Sequence, residues 1–205
     1  MTSGPPSARV ATLSAPPAQA AEQIRSGRVT PSSQNRLTVG ARGGLPDHSE
    51  LIAAALGYDS RALEAILDAA FAAAGFEYVI DEWLMPALVT VGQAWVTEQL
   101  DIAQEHFISA ALMRRLAAAF AAAGHARGGS RVITGLAPGA THEITTLAFA
   151  TMLRRAGLRV TYLGPDLPVA SWVQAVHTIH PDAVVIGAPR PVDAQAAREI
   201  VQALR

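Results

Sequence analysis

The sequence predicts a four-helix bundle followed by an α/β half that is built on a parallel sheet. Between residues 46 and 124, apolar residues recur at helical spacing and the stretches end at glycines. From residue 131 to 205, short apolar runs alternate three times with helical stretches, which is typical of a parallel sheet with crossover helices. Residues 125–130 form a Gly-rich linker between the two halves.

Composition excludes several classes of function. The chain has 205 residues and a net charge of −1, which gives no basic surface for direct nucleic-acid binding. It contains no cysteine, so disulfides, thiolate nucleophiles and Cys-ligated metals are excluded. No apolar run reaches the roughly 18 residues that a membrane helix needs, and no signal-peptide pattern is present. We therefore expect a cytoplasmic protein.

Residues 1–45 are rich in Pro, Ser and Gly and have no stable apolar period. This composition predicts a mostly disordered tail, in which residues 18–26 are the one stretch compatible with a short helix. The functional alternative is a partner-binding arm that folds on contact. A helix-turn-helix DNA reader would need a compact apolar pattern here, and the segment does not carry one.

Four helical stretches follow. The first covers 49–56 and stops at Gly57, and the second begins at a Ser60 cap and ends at Gly75. The third runs from residue 76 to about 96, and Pro86 should kink or divide it. The fourth runs from about residue 101 to 123.

The junction between the last two helices carries the first candidate site. Trp95 should end one helix and residues 96–100 should turn, and Asp101 with Gln104 should start the next helix as a capping box. Glu105 and His106 then lie in its first turn. Because successive helical residues diverge by roughly 100°, at least one of them should face a cap or a ligand. The alternative is that Trp95 is a core residue, Glu105 a surface charge and His106 a half-buried polar group.

In the α/β half, the predicted strands are 131–137, 159–163 and 183–187, and the predicted helices are 142–156, 169–179 and 192–204. Ligands of such sheets bind at the carboxyl ends of the strands. That edge carries residues 138–142, 164–168 and 187–191.

His142 lies in the loop that opens the first helix of this half. Its neutral imidazole nitrogen is a common transition-metal donor. No second and third ligand lies nearby at zinc-like spacing, so a metal at His142 would arrive inside a cofactor that fills the other positions. The alternative is a helix-start histidine bonded to backbone. No Gly-x-Gly-x-x-Gly follows the first strand, which makes a dinucleotide site unlikely.

Three segments together resemble the cobalamin (vitamin B12)-binding module of methionine synthase, corrinoid methyl carriers and light-responsive regulators. The Trp-x9-Glu-His signature of the regulators is matched by Pro86-x-Leu88-x-x-Val91-Gly92-x-x-Trp95 and Ile102-Ala103-Gln104-Glu105-His106. The cobalamin loop is matched by Pro138-Gly139-x-x-His142-Glu143-Ile144. The second-strand loop of CarH-type photoreceptors is matched by Tyr162-Leu163-Gly164-Pro165-Asp166-x-Pro168.

The resemblance implies a flavodoxin/Rossmann-like α/β half and a bound adenosyl- or hydroxocobalamin. It implies that His142 is the lower axial ligand of the cobalt, and that Trp95, Glu105 and His106 cap the upper face. The other cofactor-binding residues that it implies lie at the strand edge: Pro138, Gly139, Thr141, Glu143, Leu163, Gly164 and Gly187.

The sequence departs from the family pattern at several positions. Ala140 and Thr145 replace the Asp/Glu and Gly of the usual Asp/Glu-x-His-x-x-Gly, so the loop itself offers no carboxylate to orient His142. Gly187 and Pro189 stand where many members have Ser-x-Leu, and Val96 replaces a histidine that is a second light-state ligand in some regulators. The α/β half ends after three strand–helix units, which leaves the nucleotide-tail pocket open on one side or completed by a partner.

CarH-type repressors carry a MerR-like DNA-binding domain, and this sequence has a Pro-rich segment instead. It therefore resembles the AerR/PpaA-type antirepressors of bacterial photosynthesis genes. The resemblance implies a light-responsive regulator that contacts a separate DNA-binding transcriptional repressor and is not an enzyme. Two alternatives stay open: a corrinoid methyl-carrier subunit of a methyltransferase, and a degenerate B12 domain kept as an interaction module.

Overall fold

A computed structural model describes residues 9–11 and 44–205. These residues divide into two compact units. The first unit contains residues 44–119, and the second contains Phe120–Arg205 together with the strand Arg9–Ala11. Across these two ranges, none of the helices combines the length and the apolarity that a membrane span requires.

The first unit is helical, as predicted. Helix α1 is His48–Leu56, α2 is Ser60–Ala73 and α3 is Phe76–Val79. A π-helical turn, Ile80–Leu84, leads into α4, Met85–Val96, and α5 is Ile102–Ala122. The core of this unit is formed by fully buried side chains that include Leu51, Leu63, Leu67, Ile80, Trp83, Leu84, Ile108, Leu112 and Leu116.

The start of α1 shows how a local pattern fixes a helix end. The Ser49 N–H donates to Asp47 Oδ1 at 2.7 Å, and the Asp47 N–H donates to Glu50 Oε1 at 3.2 Å, which is a reciprocal capping box. The predicted cap of α2 is wrong by one residue. Asp59 has the extended backbone of a cap and accepts from the Ala62 N–H at 2.9 Å, so Ser60 takes the first helical position instead.

The predicted division at Pro86 is confirmed. Proline has no N–H, so the carbonyl one turn before it loses its usual α-helical donor. The chain widens into the π-helical turn immediately upstream, and the Met85 N–H donates to the carbonyl of Ile80. The two parts of the predicted third helix therefore run on without a loop.

The second unit confirms the three predicted strand–helix units. Strands β2 (Arg131–Leu136), β3 (Arg159–Tyr162) and β4 (Ala183–Gly187) alternate with helices α6 (Ile144–Arg155), α7 (Val169–Ile179) and α8 (Ala194–Ala203). A short 3-10 turn, Pro191–Asp193, precedes α8. All the pairings are parallel, with β2 between β3 and β4. The buried core here includes Ile133, Ala137, Trp172, Val184 and Ile200.

A fourth strand corrects two predictions. Arg9–Ala11 forms β1, which pairs parallel to β4 with Val10 opposite Val184, and the sheet order is β1-β4-β2-β3. These three residues are therefore not part of a disordered tail, and the sheet does not end at β4. The free N–H and C=O groups along the edge of β4 give even a short extended segment a place to pair. The short helix predicted at 18–26 lies outside the described residues.

Removing residues 1–11 should uncover the outer edge of β4. We expect the β4 amides that face β1 to exchange with solvent at least about tenfold faster, because their backbone partners are lost. Hydrogen exchange of intact and shortened protein measures this. The amides of β3, on the opposite edge of the sheet, are the internal control. Unchanged protection along β4 would contradict the pairing.

Candidate cofactor site

The junction of α4 and α5 has the predicted geometry. Trp95 lies in the last turn of α4, and α5 begins at Ile102. The Gln104 N–H donates to Asp101 Oδ1 at 2.8 Å, and the Asp101 N–H donates to Gln104 Oε1 at 2.9 Å. This capping box is the one that the sequence predicts. It fixes the point at which Glu105 and His106 enter the helix.

The Glu105 carboxylate is held on both oxygens. His106 Nδ1 lies 2.6 Å from Glu105 Oε2, and the Ser109 hydroxyl donates to Glu105 Oε1 at 2.5 Å. The His106 side chain is 71% exposed, whereas that of Glu105 is 28% exposed. Neither side chain is buried in the core, which agrees with the prediction that the two cannot both point into it. With Nδ1 engaged by the carboxylate, Nε2 is the nitrogen that His106 can offer to a ligand.

Apolar side chains at this end of the helical unit are exposed. Trp95 is 52% exposed, Val96 70% and Ile102 62%. Trp95 is therefore not the bundle-end core residue of the alternative interpretation. The connection between α4 and α5 is thus flanked by three exposed apolar side chains, the residue type that suits contact with an apolar ligand or partner.

The carboxyl edge of the sheet brings the three predicted loops together. The Leu136 N–H donates to the Gly164 carbonyl at 3.0 Å, and the Ala137 N–H donates to the Gly187 carbonyl at 3.1 Å. The end of β2 is thus bonded to the ends of both neighbouring strands. Gly164 and Gly187, both predicted site residues, take part through their backbone.

The loop after β2 is tied at Gly139. Its N–H donates to Asp166 Oδ1 at 2.7 Å, and its carbonyl accepts from Arg190 Nη2 at 3.0 Å. Gly139 has a φ of +76°, a conformation that favours glycine. The Asp166 N–H also donates to the carbonyl of Ala140 at 3.0 Å. Two charged side chains from the loops after β3 and β4 therefore hold the loop that leads to His142.

Arg190 is itself fixed by Asp193. The guanidinium donates to Asp193 Oδ1 at 2.6 Å from Nη2 and to Oδ2 at 3.1 Å from Nε, and the Arg190 N–H donates to Oδ2 at 3.0 Å. Asp193 is only 3% exposed. The hydrogen bonds from Arg190 hold the pKa of Asp193 below its usual range, and the charge of His142 adds to this lowering. Asp193 therefore keeps the Arg190 guanidinium in place beside the Gly139 carbonyl.

Sequence reasoning missed Arg190 and Asp193. The two residues are three positions apart and lie just before a helix, and this spacing was a usable signal because it suits an ion pair at a helix start. Their contact with Gly139, 51 residues before Arg190, depends on the fold and leaves no local pattern.

His142 is exposed and precedes α6, which starts two residues later than predicted. Thr141 beside it is also exposed, and Pro138 and Leu163 are half-buried. The Glu143 carboxylate accepts a hydrogen bond of 2.7 Å from the Tyr162 hydroxyl. Burial raises the pKa of that phenol, and the Glu143 carboxylate raises it further. The Glu143 carboxylate therefore has a structural partner on β3.

A cofactor metal fits this donor set better than a bare ion. Among residues 9–11 and 44–205, no three His, Cys, Asp or Glu side chains are grouped closely enough to hold a metal. His142 offers one exposed imidazole at the edge where α/β folds bind ligands. A single protein donor suits a metal that brings its other ligands with it.

Comparison with known proteins also indicates a site for a metal-containing cofactor. Residues 48–119 match the family model described as B12 binding domain. The chain is 35% identical over 134 residues to the HTH-type transcriptional repressor CarH of Myxococcus xanthus, a match that covers 65% of this chain and 44% of CarH. It is 33% identical over 139 residues to the repressor CarA of the same organism, covering 68% of this chain and 46% of CarA. The chain thus spans less than half the length of either relative.

Among solved structures, a cobalamin-binding protein from Desulfitobacterium hafniense DCB-2 is similar, with a TM-score of 0.37 and 22% identity, covering 78% of this chain and 77% of that one. The two curated relatives are transcriptional repressors and not enzymes. The helical unit carries the family match, and the Trp95, Glu105 and His106 cluster lies inside the matched residues. Residues 48–119 therefore match a B12 binding domain, and the chain is similar to the transcriptional repressors CarH and CarA.

Proposed function

We propose that this chain binds cobalamin and that His142 is the lower axial ligand of its cobalt. The observation that carries the proposal is the exposed His142, which lies at the carboxyl edge of the sheet on a loop held by hydrogen bonds from Asp166 and Arg190. The described part of the chain contains no cluster of further metal ligands. The corrin ring would supply four nitrogens to the metal, so His142 would be the one donor needed from the protein once the cofactor's own base is displaced. The match to the B12 binding domain supports this choice of cofactor.

Trp95, Glu105 and His106 are proposed to contact the upper face of the cofactor. Trp95 offers a half-exposed indole face, and the Glu105–His106 pair offers hydrogen-bonded polar groups at the start of the next helix. A bound adenosylcobalamin supplies a light-labile cobalt–carbon bond. The residues of the chain bind and orient the group and keep water from its upper face.

The function proposed is that of a light-responsive transcriptional regulator, acting as an antirepressor by contact with a DNA-binding repressor. Both curated relatives are transcriptional repressors, which supports a role in transcription. The net charge of −1 and the absence of lysine favour protein contact over direct DNA contact. Light would act by changing the relative stability of two arrangements of the protein, which requires that the dark and light cofactors bind them with different affinity.

An absorption experiment tests the proposal. The protein is incubated with adenosylcobalamin or hydroxocobalamin and desalted, and spectra are recorded in the dark and after green light. Retained corrin bands that change on illumination of the adenosyl form are expected. Retention of hydroxocobalamin but not of adenosylcobalamin would favour a methyl-carrier subunit, whose cofactor carries no adenosyl group. A colourless protein with both cobalamins would contradict cofactor binding and favour a domain kept for interaction alone.

Trp95→Ala should separate binding from folding. Because Trp95 is half-exposed, we expect the free energy of unfolding to fall by only about 1–2 kcal/mol, which leaves the protein folded. The affinity for adenosylcobalamin should fall by about tenfold, since an aromatic face against the adenosyl group contributes roughly 1 kcal/mol or more. The affinity for hydroxocobalamin should fall less, because its upper ligand is small.

Binding titrations and urea unfolding measure the two effects. Tyr78→Ala is the matched control, because Tyr78 is a 49% exposed aromatic elsewhere in the helical unit. If Trp95→Ala and Tyr78→Ala lower the affinity for both cobalamins equally, Trp95 does not contact the upper ligand.

A further inference from the structure

We propose that Arg190 and Asp193 are positioning residues for His142, holding the loop that carries it in the conformation that binds cobalt. The inference rests on the proposed function, because it concerns the lower ligand of the cobalamin. The proposal gives a role to the loop after β4. The sequence alone had indicated no role for Arg190 or Asp193 in this part of the chain.

The first step is the tie at Gly139. Its peptide N–H and carbonyl are both engaged, by Asp166 at 2.7 Å and by Arg190 at 3.0 Å. Gly139 is three residues before His142, and its positive φ makes it the turning point of the loop. Fixing both sides of this residue restricts where the imidazole can lie, which reduces the ordering that cofactor binding must otherwise impose.

The second step is the pairing that immobilises Arg190. Both oxygens of Asp193 accept from its guanidinium, and Asp193 is 3% exposed. A planar guanidinium can bond a carboxylate with two groups while a further N–H reaches a carbonyl, which a lysine ammonium cannot do in the same geometry. Arg190 is thereby aimed at the Gly139 carbonyl.

The third step concerns the loop after β2, which lacks the carboxylate that the family motif places before the ligand histidine. The family places Asp or Glu two residues before the ligand histidine, and here that residue is Ala140, which is fully buried. The Ala140 carbonyl accepts from the Asp166 N–H, so this side of the loop is tied through its backbone. The loop that carries His142 is therefore held by Asp166 and by the Arg190–Asp193 pair, and not by a carboxylate of its own.

Three variants test the proposal in the full chain: Arg190→Gln, Arg190→Lys and Asp193→Asn. Arg198→Gln is the matched control, because Arg198 is an exposed arginine on α8. Hydroxocobalamin affinity and the absorption bands of the bound corrin are measured for each variant. Hydrogen exchange at Gly139, Ala140 and Thr141 is measured without cobalamin.

We expect Arg190→Gln and Asp193→Asn to weaken hydroxocobalamin binding by about tenfold, because the loop that carries His142 must then be ordered when the cofactor binds. The corrin bands of the remaining complex should shift toward those of free cobalamin, and exchange at Gly139 and Ala140 should speed up. Arg190→Lys should recover only part of the affinity. Arg198→Gln should match the parent protein in all three measurements.

Three outcomes distinguish failure of the positioning role from failure of the proposed function. If the parent protein retains cobalamin, and Arg190→Gln matches Arg198→Gln in affinity, bands and loop exchange, the positioning role is overturned while the cofactor stands. A lower melting temperature with unchanged bands and affinity would also overturn it, since that is a structural role alone. If the parent protein retains no cobalamin, the proposed function fails, and the positioning role fails with it.

Discussion

His142→Ala is expected to lower the affinity for hydroxocobalamin by at least about 100-fold, because it removes the one donor that the chain offers to cobalt. Loss of a residue that only orients a ligand already costs about 10- to 100-fold in metal affinity, and loss of the ligand should cost at least as much. The fold should be unaffected, since His142 is exposed and lies before α6. Absorption titration gives the affinity, and thermal unfolding of the cofactor-free protein checks the fold.

The matched control is His177→Ala, an exposed histidine in the last turn of α7. It should bind hydroxocobalamin like the parent protein. Added imidazole should restore some of the lost corrin spectrum in His142→Ala, because it can occupy the vacated position. Equal affinities for His142→Ala and His177→Ala would contradict the assignment of the lower ligand.

Gly187→Ala is expected to destabilise the α/β unit by about 1–3 kcal/mol, the usual cost of adding a methyl group where no space exists. A β-carbon at this position would lie 2.5 Å from Thr146 Oγ1 and 3.1 Å from Leu136 Cγ. Gly187 ends β4, and its carbonyl accepts from the Ala137 N–H. Any shift there would be passed to the start of the His142 loop. Urea unfolding of the cofactor-free protein measures the change.

A double-mutant cycle with Thr146→Ala identifies the cause. If the clash with Thr146 Oγ1 is responsible, Gly187→Ala should cost less in the Thr146→Ala background. Gly92→Ala is the control, because nothing lies within 4 Å of a β-carbon there. Within helix α4 this change should stabilise by roughly 0.5–1 kcal/mol. Equal unfolding midpoints for Gly187→Ala and the parent would contradict the close packing at this strand end.

The sequence was sufficient where local pattern decides structure. The predicted bounds of α7 and β4 agree with the observed Val169–Ile179 and Ala183–Gly187, since an apolar run between Pro and Gly residues marks both ends. The capping box of Asp101 and Gln104 was readable for the same reason. The strand Arg9–Ala11 was not, because three residues in a Pro-rich segment are too few to show a period and pair only when β4 is in place.

The candidate site also has features that the sequence predicted and features that it could not. Spacing alone predicted that Trp95, Glu105 and His106 gather at a helix junction, and that His142 lies at the carboxyl edge of the sheet. It could not predict that Glu143 accepts from Tyr162, or that Arg190 reaches Gly139, because these partners meet only after the strands align. The cobalt contacts themselves remain proposals that follow from the donor chemistry and the family.

The central claim is that a histidine of this chain coordinates cobalt. Electron paramagnetic resonance of the protein loaded with cob(II)alamin tests it most directly, because the axial nitrogen splits the cobalt lines. The protein is prepared with histidine labelled with nitrogen-15, while the cofactor keeps nitrogen of natural abundance. We predict that each cobalt line splits into a doublet in the labelled protein and that this doublet is absent from His142→Ala. A triplet in the labelled protein would show that the cofactor's own base holds the cobalt, and it would contradict the account.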